Sequence, residues 1–390
     1  MKYLYIIIFV ILFICSCKKS EDSKVLKIDP RFFPESEMLL SDIANDVKYI
    51  PIENKFPIGH IYSYKFACGY IYMAIKDVGI VRYTIDGKLD KKYGKIGRGP
   101  GEYVYFLKFA LEDTNGSVYV LDQKMNDIEV YKSDGKHIRN IKLQDDDYGF
   151  GFSDIEFNNS LLFLAQYINM GHGEYNWLIT DTLGEIKKIK KNPYPLFEGR
   201  WGGNGGIFKY KNSIGYWDSQ KDTIFKISPD LSHHMIALFS QGEHRFPKNS
   251  EAYDPIETYK KNRANYCMSY VLIETDNFFV YKYFLDGLHL ALIDKEDIIA
   301  QSITINNNKK GITNNIDGGI DFNPENYFEC KNEEYLISIL QPFVIRYHIA
   351  SRIFKNSTPK YPEKKDALST LADNLNENDN PVLMLVRLKE

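Results

Sequence analysis

Short apolar runs alternate with turn-forming residues along most of the chain, and for most of its length the 3.6-residue spacing of an amphipathic helix is missing. Gly69-Tyr70-Ile71-Tyr72 leads to Val81-Arg82-Tyr83-Thr84-Ile85 and the turn Asp86-Gly87-Lys88. The same order returns as Gly116-Ser117-Val118-Tyr119-Val120-Leu121-Asp122, then Ile128-Glu129-Val130-Tyr131, then Asp134-Gly135-Lys136. The offset is 47 residues at Tyr72/Tyr119 and 48 at Gly87/Gly135. A third copy runs through Leu161-Leu162-Phe163-Leu164, Trp177-Leu178-Ile179-Thr180 and Leu183-Gly184-Glu185. Fainter copies follow at Ser213-Ile214-Gly215-Tyr216 with Thr223 to Ile227, at Phe278 to Tyr281 with His289 to Ile293, and at Glu334 to Ser338, making six units.

Several of these runs are apolar at consecutive positions, as expected of strands covered on both faces by other sheets. Repeats of about 40 to 50 residues built from short strands point to a β-propeller, while a β-solenoid needs shorter rungs and an α-repeat needs helical periodicity. The fold expected is therefore all-β, a six-bladed β-propeller. The sixth unit is incomplete: Ala367, Leu368, Leu371, Ala372 and Leu375 fall at helical spacing within 362–376, and Val382 to Leu388 then reads as a final strand. Its missing outer strand is expected from Val47-Lys48-Tyr49-Ile50-Pro51-Ile52, with Pro51 tolerable on an edge. The last blade is thus closed by N- and C-terminal strands around a short helical insertion.

The N-terminus carries an address. Met1-Lys2 precedes an apolar run from Tyr3 to Ile14, of signal-peptide length and too short to span a bilayer. The run ends in Ile14-Cys15-Ser16-Cys17, which resembles a bacterial lipobox, with Cys17 as the lipidated residue. The expected organisation is a lipoprotein signal peptide over 1–16, a flexible tether over 17–25 and one propeller over 26–390. Cys68, Cys267 and Cys330 form no disulfide framework and no CxxC metal site, and are expected as small buried strand residues.

Gly94-Lys95-Ile96-Gly97-Arg98-Gly99-Pro100-Gly101-Glu102-Tyr103, continued by Gly116 to Asp122, Ile128 to Tyr131 and Asp134-Gly135-Lys136, resembles one full NHL repeat. With the lipobox, the Val47-Lys48-Tyr49-Ile50-Pro51 opening and the Asn380-Pro381-Val382-Leu383-Met384 ending, the mature chain is similar to the NHL-like six-bladed β-propeller lipoproteins of Gram-negative anaerobic bacteria. That resemblance implies a cell-envelope protein, lipid-anchored to the outer membrane on its periplasmic or surface face. It implies no biochemical activity.

Composition narrows the chemistry. Of 390 residues 44% are apolar, and 29 Tyr and 24 Phe favour strands. A net charge of -3 without a basic stripe excludes nucleic acid as partner. No HExxH, EF-hand or G-x-S-x-G pattern occurs, so neither a metal nor a cofactor is expected. Asp145-Asp146-Asp147 reads as a solvated turn, and the glycines of 94–101 read as a connection between blades, since they lack the GK[ST] ending of a phosphate loop. Three connections of similar kind offer charge and an aromatic plane: Arg98 and Glu102, which face the channel or pair with one another; Arg200 and Trp201 within a glycine-rich frame; and His244 and Arg245. A Trp platform suits sugar rings or flat apolar groups, and Arg recognises carboxylates.

The function expected is a non-catalytic binding or scaffold module, a monomer, for a glycan, peptide or partner protein. The alternative is a propeller enzyme, a lyase or hydrolase working at the axial channel, which the fold alone does not exclude.

Overall fold

Tyr70–Ile75 shows why consecutive positions are apolar. In the computed structural model Ile71, Met73 and Ile75 pack on one neighbouring blade, while Tyr72 and Ala74 pack on the other. The structure describes residues 25–67, 69–143, 151–166, 175–191, 205–211, 213–218, 223–239 and 267–390.

Six antiparallel sheets follow one another along the chain, each with four strands running outward from the axis. Blade one holds Ile61–Ala67, Tyr70–Ile75, Gly79–Thr84 and Leu89–Tyr93; blade two holds Lys108–Leu111, Val118–Asp122, Asp127–Tyr131 and His137–Lys142. Blade three holds Asp154–Asn158, Leu161–Ala165, Tyr175–Asp181 and Ile186–Lys191; blade four holds Gly205–Tyr210, Ser213–Asp218, Thr223–Ile227 and His233–Phe239. Blade five holds Met268–Glu274, Phe278–Phe284, Leu288–Asp294 and Ala300–Ile305. The first strands touch their neighbours in cyclic order from blade one to blade six and back to blade one. Six apolar clusters, one per interface, complete the ring. This is the expected six-bladed β-propeller.

Blade six is assembled from both ends of the chain, in the order Asn326–Cys330, Glu333–Leu340, Val382–Leu388 and Ala44–Pro51. Val47 lies opposite Val386 and Ile50 opposite Leu383, so the N-terminal strand is the outer edge, and Pro51 sits at its end. The joint leaves no open seam between first and last blades.

Two features were not foreseen. The N-terminal segment does more than supply that edge. Leu26–Ile28 adds a parallel fifth strand to blade four, and the chain then passes blade five, where Ser36 N donates to Ser302 O at 3.0 Å, before entering blade six. It therefore covers two outer edges. The insertion between the second and third strands of blade six holds the expected helix, Pro362–Asn374, and also helices Pro342–Ala350 and Arg352–Asn356. Their inward residues Ile345, Phe354 and Leu368 join the cluster between blades five and six.

In blades one to four the turn before the fourth strand carries the repeat. Gly87 N bonds Thr84 O at 2.9 Å, Gly135 N bonds Lys132 O at 2.9 Å and Gly184 N bonds Asp181 O at 3.1 Å, all three glycines at positive φ. Blade four makes the same turn with Leu231 at φ 63°, bonding Ser228 O at 2.8 Å. The geometry persists where the glycine does not, so the motif fades while the fold continues.

Of the cysteines, Cys267 is buried as expected, whereas Cys330 is only half-buried, because it ends blade six's first strand beside the turn Lys331-Asn332. Cys68, Asp145-Asp146-Asp147 and the segment with Cys17 lie outside the described residues.

Candidate functional site: the axial channel

Outer strands alternate apolar residues between two neighbouring blades, but a first strand has only the axis on its inner side. There the sequence places charge. The six first strands enclose a channel of about 1250 Å³. Lys65 of blade one bonds Glu156 of blade three, and Lys108 of blade two stands 3.8 Å from Asp154 of blade three. Lys209 of blade four bonds Asp113, and Lys211 reaches Asp276 at 2.7 Å. Across the described wall five lysines (the fifth is Lys331) face six acids, Asp113, Asp154, Glu156, Glu274, Glu325 and Glu329, and no histidine or arginine is present. Such balance does not attract a polyanion; it matches ligands that carry both charges or many hydroxyls.

Where blades four, five and six meet, the network is dense. Glu274, 3% exposed, accepts from Lys226 and Lys295 at 3.0 Å each, both on Oε1. Its Oε2 is buried without a hydrogen bond. Glu334 accepts the Asp276 amide at 2.9 and 3.1 Å and the Tyr327 hydroxyl at 2.8 Å. The Tyr210 hydroxyl donates to Asp276, and the ammoniums of Lys226 and Lys295 lie 4.6 and 4.5 Å from the Tyr210 ring centre. Burial and the Asp276 carboxylate together hold the Tyr210 hydroxyl well above the ordinary phenol range.

A second group joins blades five, six and one. Lys282 is 6% exposed on the second strand of blade five, and its ammonium makes no hydrogen bond or ion pair with the described residues. Burial pulls its ammonium down to about 8, and the charge of Glu325 opposes this only in part. Burial pushes the Glu325 carboxyl up, with Lys282 acting against it. Tyr64 on the channel wall is raised well above its usual value by burial first and by Glu325 second, and its hydroxyl has no partner. Among the described residues no three His, Cys, Asp or Glu side chains are grouped to hold a metal.

Two of the six expected site residues are described. Neither lines the channel. Glu102 does not pair with the Arg98 side chain: its carboxylate accepts the Gly99 amide at 2.8 Å and meets Lys95 at 2.9 Å, and the Arg98 and Gly99 amides help hold it below the usual carboxylate range. It closes its own loop, because a carboxylate three residues beyond a glycine turn has those amides within reach. Arg98 is exposed. Tyr103 fixes the same connection, its hydroxyl donating to Tyr93 O at 2.6 Å and accepting from Ile80 N at 2.8 Å. Arg200, Trp201, His244 and Arg245 lie outside the described residues, in connections that lead into the first strands of blades four and five.

The channel residues were overlooked although they leave a trace. A lysine flanked by large apolar residues recurs as Tyr64-Lys65-Phe66, Leu107-Lys108-Phe109 and Phe208-Lys209-Tyr210, each in the first strand of a blade. A charge that interrupts a run of large buried or half-buried apolar residues marks the side facing the axis.

A family model for a domain of unknown function, DUF4934, matches residues 23–387. The chain belongs to the DUF4934 family. Two solved structures share the architecture of this DUF4934 propeller. A candidate exported protein of Bacteroides fragilis NCTC 9343 is 15% identical with a TM-score of 0.66, covering 92% of this chain and 99% of its own. A DUF4221 family member from Bacteroides vulgatus ATCC 8482 is 11% identical with a TM-score of 0.53, covering 89% and 97%. At such identities the likeness speaks for the fold alone. No curated protein matches the sequence.

Proposed function

We propose that the protein is a lipid-anchored, non-catalytic binding module of the cell envelope whose axial channel takes a peptide or glycan. One observation carries this reading: Tyr64 and Glu274, both on the channel wall, bury a hydroxyl and a carboxylate oxygen without a partner, beside lysines already neutralised by carboxylates. Buried polar atoms left unpaired cost about 1 to 3 kcal/mol each, and a ligand's hydroxyl or ammonium would recover that cost once a side-chain shift opens these atoms to the channel. The walls are rigid strands, which lowers the entropic penalty of binding.

The anchor at Cys17, the NHL-like character of blades one and two, the outer-membrane address and the monomeric state belong to the same reading. So does a contribution from Arg98, Arg200, Trp201, His244 and Arg245, whose connections approach the start of the first strands.

The test is a glycan and peptide array probed with the purified chain, each hit then titrated against Glu274→Gln and Tyr64→Phe. Binding weakened about tenfold by either change, with the melting temperature kept, supports the channel; unaltered affinity in both refutes it.

A second reading, a propeller enzyme, is favoured by Lys282 beside Glu325, since burial pulls its ammonium down to about 8 and such a group gives up a proton far more readily than an ordinary lysine, as a general acid must. It requires turnover of an array hit that is lost in Lys282→Met while affinity is kept.

A further inference from the structure

In an antiparallel blade the first strand starts, and the second ends, on the same face of the disc. The helical insertion, which follows the second strand of blade six, therefore lies on the face from which the first strands start. It packs there on the connection from blade five: Tyr361 N donates to Ile316 O at 3.0 Å, Lys360 N to Asn315 O at 2.9 Å, and His348 Nε2 lies 2.9 Å from Gly318 O. Pro342, Ile345 and Phe354 are buried beneath it.

Its outer side is apolar as well. Phe343 is 54% exposed, Tyr347 81% and Ile353 76%, with Phe343 and Tyr347 one turn apart on one helix and Ile353 on the next. Phe32 and Leu183, comparably exposed, stand in other parts of the ring. Arg346, Arg352 and Lys355, all exposed, alternate with these three along the two helices. From Gln341 to Pro362 the chain has no aspartate or glutamate, although acids outnumber bases 52 to 49 over the whole protein.

We infer that this helical face docks on an anionic lipid surface. Large apolar side chains interleaved with arginine and lysine on short surface helices are what an interfacial seat requires: rings enter the boundary between headgroups and acyl chains, and the cations pair with lipid phosphates. The charge chooses this occupant. An apolar protein partner gains nothing from three cations with no acid among them, and a second copy would bring like charges together. No described helix is long and apolar enough to cross a membrane, so the contact is a seat and not a span. The seat would add a second attachment beside the anchor proposed at Cys17, a reading on which the lipid contact itself does not depend. It would set the disc with its first-strand starts toward the lipid, leaving the opposite channel mouth, at Thr114, Asn159 and Asn332, open.

The test uses residues 25–390, which contain every strand of the closed ring and no lipidation site, with vesicles of phosphatidylcholine alone or mixed with phosphatidylglycerol. Cosedimentation about tenfold stronger on the mixed vesicles is expected, falling at high salt. Phe343→Ser with Tyr347→Ser and Ile353→Ser should abolish it. Arg346→Gln with Arg352→Gln and Lys355→Gln should remove the preference for phosphatidylglycerol. All these positions are exposed, so melting temperatures should hold. Absence of binding to phosphatidylglycerol, or binding that survives the triple serine variant, overturns the inference. So does a dimer in sedimentation equilibrium that the serine variant dissociates, since the face would then belong to a second copy.

Discussion

Replacing Lys282 with methionine should make the protein more stable. The ammonium is 6% exposed and titrates near 8 instead of 10.5, because burial removes its water and Glu325 returns only part of the loss. At 1.36 kcal/mol per pH unit this corresponds to about 3 kcal/mol of destabilisation whenever the lysine is charged in both states. Methionine fills a similar volume without the charge. The attraction of Glu325 already enters that figure, so the variant should gain about 3 kcal/mol at neutral pH. The folded pKa is depressed, so the unfolded chain binds more protons between about 8 and 10.5; the cost is full below pH 8, shrinks through that window and vanishes above it. Denaturant melts of both proteins at several pH values read this directly. The variant's advantage should be largest near pH 7 and close toward pH 10.5. A variant less stable than the parent at pH 7, or an advantage independent of pH, would refute the assignment of Lys282 as a buried, uncompensated cation.

The same geometry sets further expectations. Gly87→Ala should cost about 2 kcal/mol or more in a thermal or denaturant melt, since Gly87 sits at φ 78° and a Cβ there would lie 2.1 Å from Pro51 O; a neutral effect would contradict the turn. Deleting Pro381–Glu390 should abolish the fold, as Val382, Leu383, Met384, Leu385, Val386 and Leu388 are each at most 5% exposed and contribute about 1.5 to 3 kcal/mol apiece. A cooperative monomeric melt after this deletion would be incompatible with the closure. Tyr103→Phe strands both Ile80 N and Tyr93 O and should lower stability by about 1 to 3 kcal/mol in denaturant melts. Cys17→Ala should release the protein from membranes or block its processing, and an intact mass of the native mature protein without an acyl group would exclude the anchor.

Architecture was legible because it rests on local signals repeated many times. Gly87, Gly135 and Gly184 mark turns that need positive φ, and Tyr72, Tyr119 and Leu162 mark second strands buried on both faces. Where Leu231 takes the glycine's place the turn is kept by its hydrogen bonds, so the fourth unit read faintly. Helices Pro342–Ala350 and Arg352–Asn356 escaped notice because their exposed faces carry Phe343, Tyr347 and Ile353, which blurs the polar-apolar contrast that reveals a helix. The channel was illegible for another reason. Lys65 and Glu156 are 91 residues apart and meet only because the ring closes, as do Lys209 and Asp113 across 96 residues. Glu102 misled in the opposite direction: a carboxylate within a glycine-rich loop looks available for a ligand, but the loop's own amides take it.

The position of a bound ligand tests the channel account most directly. A crystal structure of the protein with the strongest hit from a glycan or peptide array is expected to show it inside the ring of first strands, with a donor on Glu274 Oε2 or an acceptor beside the Tyr64 hydroxyl. Ligand density confined to the connections around Arg98, or to the outer rim of the blades, with an empty channel, would contradict it.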